Sequence, residues 1–225
     1  MKMVNKKQTE EAIKEERNNN KLSPNNKHNN LKYHVSEIIR LIGDNPQREG
    51  IYETPHRVAK MYNEVFKGYD VNQKPKITVF NNGSDGVYYD QMITDTGYFY
   101  SFCEHHMIPF FGQYWFAYIP SKKGKLLGLS KVARLVEYHS AKLQIQERLV
   151  KNIVDDIEEA LTVKDENGNE LNKPLGVALI LEGKHLCKCM RGVRNDGVMT
   201  TSDMRGVFKE YTHTKQEFIA LTKEK

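Results

Sequence analysis

The chain has 225 residues, 39% hydrophobic and 28% charged, with a formal net charge of +5. That length suits a single domain with its own core, alone or with an appendage, and no apolar run approaches the ~20 residues of a membrane helix. The positive excess is modest, and +3 of it falls within residues 1–30, so the clustered basic face that nucleic acid demands is missing.

Residues 1–30 contain eight Asn and six apolar side chains. Such a composition cannot bury enough surface to offset its ordering entropy. A disordered Asn/Lys-rich tail is expected there, with at most a short helix over residues 8–17. The opening residues hold no apolar segment of a secretory signal, which points to the cytoplasm. Residues 31–225 form the expected domain.

Val35, Ile38, Ile39 and Ile42 recur at helical spacing, and Gly43 is a stop signal. Thr54-Pro55 reads as an N-cap with proline at the first helical position. Two N-terminal helices are therefore expected within residues 31–74. From Pro75 the pattern changes. Residues 77–80, 91–102 and 112–119 are rich in β-branched and aromatic types and bounded by Gly, Asn and Pro. Helices are expected over 130–141 and 145–161. A strand pair over 175–181 and 185–193 should then turn at Glu182-Gly183-Lys184, and a short helix around 218–221 closes the chain. Strands in blocks favour an α+β fold with a mainly antiparallel sheet over residues 75–225.

The three cysteines are too few for a disulfide framework and point to metal binding or catalysis. All three lie beside the His-rich segments Cys103-Glu104-His105-His106 and His185-Leu186-Cys187-Lys188-Cys189. Zinc takes thiolate and imidazole ligands, and a catalytic site keeps one position open. Residues three apart, such as Cys103 and His106, can share an ion across a turn. His185, Cys187 and Cys189 would share one face of a strand. Spacing alone leaves open Cys187 against Cys189, and His105 against His106. A closed four-ligand structural site using Cys189 is the alternative to a catalytic one.

Two further groups are ambiguous by themselves. Gln144-Ile145-Gln146-Glu147-Arg148 could offer a carboxylate and an amide to the donor edge of a guanine-like ring, or it could be a solvated first helical turn. Arg57, Lys131, Arg134, Arg191 and Arg194 could contact phosphate, or be ordinary surface charges. Neither a P-loop nor a G-x-G-x-x-G motif is present.

Taken together and in order, these segments resemble GTP cyclohydrolase I. The matching pieces are Arg48-Glu49-Gly50, Thr54-Pro55-His56-Arg57-Val58-Ala59-Lys60-Met61, Ser101-Phe102-Cys103-Glu104-His105-His106, Tyr118-Ile119-Pro120, Gly128-Leu129-Ser130-Lys131, Gln144-Ile145-Gln146-Glu147-Arg148-Leu149, and His185-Leu186-Cys187 with Arg191-Gly192. The resemblance covers roughly residues 31–225. It implies that Cys103, His106 and Cys187 hold one zinc ion per subunit, and that His105 and His185 transfer protons. Gln146 and Glu147 would anchor guanine. Ser130, Lys131, Arg134, Arg191 and, from a neighbouring subunit, Arg57 would contact the triphosphate and ribose. The implied fold is the tunnelling fold, an antiparallel four-stranded sheet with two helices on one face. The implied assembly is a homodecamer of two pentamers with interfacial active sites, taking GTP to 7,8-dihydroneopterin triphosphate and formate. Two departures stand out. Ala141 and Lys142 occupy positions where the family often has basic residues, and residues 195–201 diverge, so no role is assigned there.

Overall fold

The computed structural model describes residues 24–223. They fall into two compact units that meet between Glu64 and Val65. The first holds α1 (Pro24–Leu41) and most of α2 (Thr54–Val65). Residues 24–30, expected within the Asn/Lys-rich tail, lie in α1. Proline is well placed at a helix start, and the Asn-rich turn after it extends a helix whose later residues are amphipathic. The possible helix over 8–17 lies outside the described residues. Within this unit, Arg48 forms a paired contact with Asp44, at 2.8 Å for both nitrogens. The pairing holds the Asp44 carboxyl at about 2.

The second unit starts before the expected boundary at 74 because residues 66–74 dock onto it. The Gly68 amide donates to Ala141 O, the Tyr69 hydroxyl accepts from Leu143 N, and the Phe66 and Phe102 rings lie 5.0 Å apart. Two short strands, β1 (Val79–Asn81) and β4 (Lys125–Leu127), pair with each other. The main sheet contains β2 (Ile93–Cys103), β3 (Pro109–Ile119), β5 (Leu143–Gln144), β8 (Gly176–His185) and β9 (Met199–Gly206), in the order β5-β2-β3-β8-β9. A further pair, β6 (Val163–Lys164) and β7 (Glu170–Asn172), forms a small hairpin. The four long strands are antiparallel, and β5 adds a two-residue parallel edge. The sheet therefore has five strands where four were expected.

Helices α3 (Lys131–Ser140) and α4 (Gln146–Leu161) pack on one face of this sheet. Leu149, Ile153, Ile157 and Leu161 repeat along α4 and are fully buried. They meet Phe99, Phe110, Phe116, Leu179 and Leu181 from the strands. The opposite face is covered at one end, where Trp115, Ala117, Ala178 and Ile180 pack under Phe208 of α6 (Val207–Glu210) and Phe218 of α7 (Thr212–Lys223). Strand β3 is thus buried on both sides, which explains its unbroken run of aromatic and apolar residues. Ile153→Ala should cost about 2–5 kcal/mol, measured as a lowered denaturation midpoint with an unchanged secondary-structure signal.

The expected strand pair over 175–193 is corrected. Residues 182–184 stay in β8, all three paired with β3, and Glu182 and Gly183 also paired with β9. Gly183 is required by close approach, not by a turn. A Cβ there would collide with Gln146 Oε1 and lie 3.1 Å from the Phe99 ring. The chain then makes one helical turn, α5 (Leu186–Cys189), and bends through Gly192 and Arg194, both with positive φ. The partner strand is β9, further along than expected.

Candidate active site

The C-terminal ends of β2 and β8 and the N-terminus of α4 converge on one cleft. Its volume is about 620 Å³, within the range of small-molecule sites. Cys103 ends β2 and is buried. A tight turn follows, closed by Met107 N donating to Cys103 O at 2.8 Å and Cys103 N to Ile108 O at 2.9 Å, with Met107 at φ +54°. This turn presents Glu104 and His105 to the cleft. His105 Nδ1 lies 3.6 Å from Cys103 Sγ.

His185 ends β8, its ring stacked on Phe110 at 4.4 Å and 7°. Cys187 follows in α5. A ring nitrogen of His185 and the sulfurs of Cys103 and Cys187 all lie within 4.8 Å of one another. Two sulfurs and an imidazole at that separation are a donor set suited to zinc. Without a bound cation, the surroundings favour the protonated form of Cys187. Burial, then the hydrogen bond to Cys103, pushes the Cys187 thiol up from its usual range. A bound dication reverses that preference, because it favours deprotonated thiols. Burial lowers His185, keeping its imidazole neutral. That is the form that ligates metals or accepts protons.

The imidazole in this cluster is that of His185. His106 is exposed, and its Nε2 accepts from Arg191 Nη1 at 3.1 Å. Cys189 stands apart from the cluster. In one helical turn, residues two apart point about 200° apart, so the expectation of a shared face for Cys187 and Cys189 is corrected. Asp196 close by pairs with Lys184 at 2.5 Å.

Glu147 lines the cleft and is exposed. Gln146 also lines it, but its side chain is buried and engaged at both ends. Of the two residues expected at the guanine edge, Glu147 is thus the more exposed. Ser130, Lys131 and Arg134 lie at the start of α3 and are not among the lining residues. Ser130 caps that helix without a side-chain hydrogen bond. Arg134 lines a separate cavity with Lys67 and Glu137. Arg57 is exposed on α2, in the first unit.

Several contributors had no signal in residue spacing. Gly197, Val198 and Met199 form one wall, from the divergent segment left without a role. Arg148 contacts Glu104, and its Nε donates to Gln144 Oε1 at 3.0 Å. It thus ties the Cys103 turn to the start of α4. Both ends of this contact sat in quoted motifs, and opposite charge was the only clue.

An α+β enzyme fold with a metal-capable Cys-His-Cys cleft is the class these features define. The family model for GTP cyclohydrolase I matches residues 31–223. The chain is 42% identical to GTP cyclohydrolase 1 of Caldanaerobacter subterraneus subsp. tengcongensis, over 87% of this chain and 96% of that protein. It is 41% identical to GTP cyclohydrolase 1 of Streptococcus gordonii, over 83% and 92%. It is 42% identical to the bifunctional protein FolKE of Lactococcus lactis, covering 85% of this chain and 51% of that one. Among solved structures, a likeness to the apo archaeosine synthase QueF-Like is shallow, with a TM-score of 0.36 at 13% identity over 51% of this chain and 93% of that one. The chain belongs to the GTP cyclohydrolase I family of enzymes. Among the described residues no helix is long and apolar enough to cross a membrane.

Proposed function

We propose that this chain hydrolyses GTP at guanine C8, releasing formate and yielding 7,8-dihydroneopterin triphosphate. The observation that carries the reading is the Cys103, His185 and Cys187 cluster in a cleft that Glu147 and His105 also line. Cys103 and Cys187 would hold one zinc ion with an imidazole. His185 is within reach, and His106 is the imidazole the family resemblance favours. When bound, zinc supplies water activated at neutral pH.

The remaining work falls to the side chains. Glu147 accepts hydrogen bonds from the guanine N1–H and amino group, which orients C8 toward the cysteines. His105 and His185 move protons at N7 and N9 as water adds at C8 and the ring opens, a task suited to imidazole. A second addition of water and cleavage of the formamide release formate. The ribose carbons then rearrange and close on the freed diamine with loss of water, so one water is consumed overall.

Ser130, Lys131, Arg134, Arg191 and Arg57 are our candidates for the triphosphate and ribose. Within one chain, Ser130, Lys131 and Arg134 do not line the cleft, which supports sites completed by neighbouring copies. The sheet supports the same reading. Among the described residues, β9 and residues 93–101 of β2 have no strand beyond them, and open edges invite pairing. A decamer of two pentamers, in the cytoplasm and built on the tunnelling fold, is the assembly we infer.

The test is direct. With GTP, the full chain should release formate and give a pterin that fluoresces after oxidation, and ATP should be a poor substrate. No formate from GTP would overturn the reading. Glu147→Ala should retain its metal and lose at least about 10²-fold in GTP affinity, as sites built on hydrogen bonds lose strongly when those partners go. Equilibrium binding with unchanged affinity would remove Glu147 from the anchor role.

A further inference from the structure

We propose that Gln146 is a positioning residue whose amide fixes His185 in the tautomer protonated on Nε2, leaving Nδ1 as the lone-pair nitrogen. The inference deepens the reading above, since it concerns a histidine assigned there to the chemistry.

The Gln146 side chain is 1% exposed. Its Nε2 lies 3.1 Å from Leu181 O, 2.9 Å from Met199 O and 3.1 Å from Thr201 Oγ1. Two of these partners are backbone carbonyls, which can only accept. Turning the amide over would set its oxygen against both carbonyls, acceptor facing acceptor, and leave its own N–H groups without those partners. The nitrogen end is therefore fixed, and Oε1 faces His185 Nε2 at 3.0 Å. An amide oxygen can only accept, so His185 Nε2 must donate. A neutral imidazole has one ring proton. With that proton on Nε2, Nδ1 carries the lone pair.

The surroundings prevent escape from this arrangement. The stack on Phe110 fixes the plane of the imidazole. Gly183 leaves room for Oε1, because a Cβ would collide with it. Strand β9 supplies the Met199 and Thr201 acceptors, so the divergent segment 195–201 leads into the brace. Outer partners that set a histidine tautomer in this way typically change activity or metal affinity 10–100-fold when removed. Gln146 begins α4 directly before Glu147. One helix start thus orients both the imidazole and the carboxylate.

Magic-angle-spinning 15N NMR on histidine-labelled, metal-loaded full-length protein tests this, with His185→Asn identifying the signals. The wild type should show a protonated Nε2 and an unprotonated Nδ1 for His185. A bare Nε2 would overturn the proposal, and this spectrum needs no Gln146 variant to fold. Gln146→Met should show a mixed tautomer, with kcat down about 10–100-fold and GTP affinity within about twofold of wild type. Weakened GTP binding with kcat preserved would mark Gln146 as a substrate contact instead and sink the positioning role. The tautomer is read without turnover. Wild-type protein that releases no formate yet shows a protonated Nε2 would refute the proposed function alone.

Discussion

Cys187→Ser loses both its metal and its formate release, whereas Cys189→Ser keeps one metal ion per chain and most of its activity. This is the expected result of placing both residues in the single turn α5. Cys187 lies in one cluster with Cys103 and His185, and Cys189 is outside it. Removing an outer partner of a metal ligand typically costs 10–100-fold in affinity, and losing a thiolate ligand should exceed that. Metal analysis of the purified variants decides the matter. Metal lost from Cys189→Ser would mean a closed or differently ligated site, and a structural rather than catalytic ion. Metal kept by Cys187→Ser would remove that residue from the ligand set.

His105→Ala separates chemistry from metal binding. His105 lines the cleft and approaches Cys103 at 3.6 Å, yet it stands outside the three-residue cluster. The variant should retain a full complement of metal. Its kcat should fall by about 10²–10⁴, the usual range for a lost general acid or base. A metal-free His105→Ala protein would make His105 a ligand. An unchanged kcat would leave proton transfer to His185 alone.

Periodicity made much of the fold legible. The spacing of Leu149, Ile153, Ile157 and Leu161 marks a helix with one buried face, and the run from Tyr114 to Ile119 marks a core strand. The errors have physical causes. Gly183 was read as a turn, because composition cannot distinguish a glycine that bends the chain from one that admits a neighbour. The neighbour is Gln146, 37 residues earlier in sequence and in contact only after folding. That misreading turned α5 into a strand and aligned Cys187 with Cys189. Residues 24–30 looked too polar to order, but they continue an amphipathic helix.

The site divides in the same way. The two Cys/His segments were visible because reactive residue types cluster in the chain. Which imidazole stands beside the two sulfurs was not, because His105, His106 and His185 differ only in where the turn and the strand end place them. His185 meets the sulfurs in the folded chain, and His106 meets Arg191. Gln146 shows the sharper limit. Its residue type fits a ligand anchor as well as a buried brace, and only its 1% exposure and its satisfied partners separate the two.

Metal-dependent release of the guanine C8 carbon is read by incubating the full chain with GTP labelled at C8. Labelled formate should appear with one equivalent per GTP consumed. It should stop after treatment with a chelator and return when zinc is restored. Formate release that persists in chelated, metal-free protein, or label that remains in the nucleotide, would contradict the account.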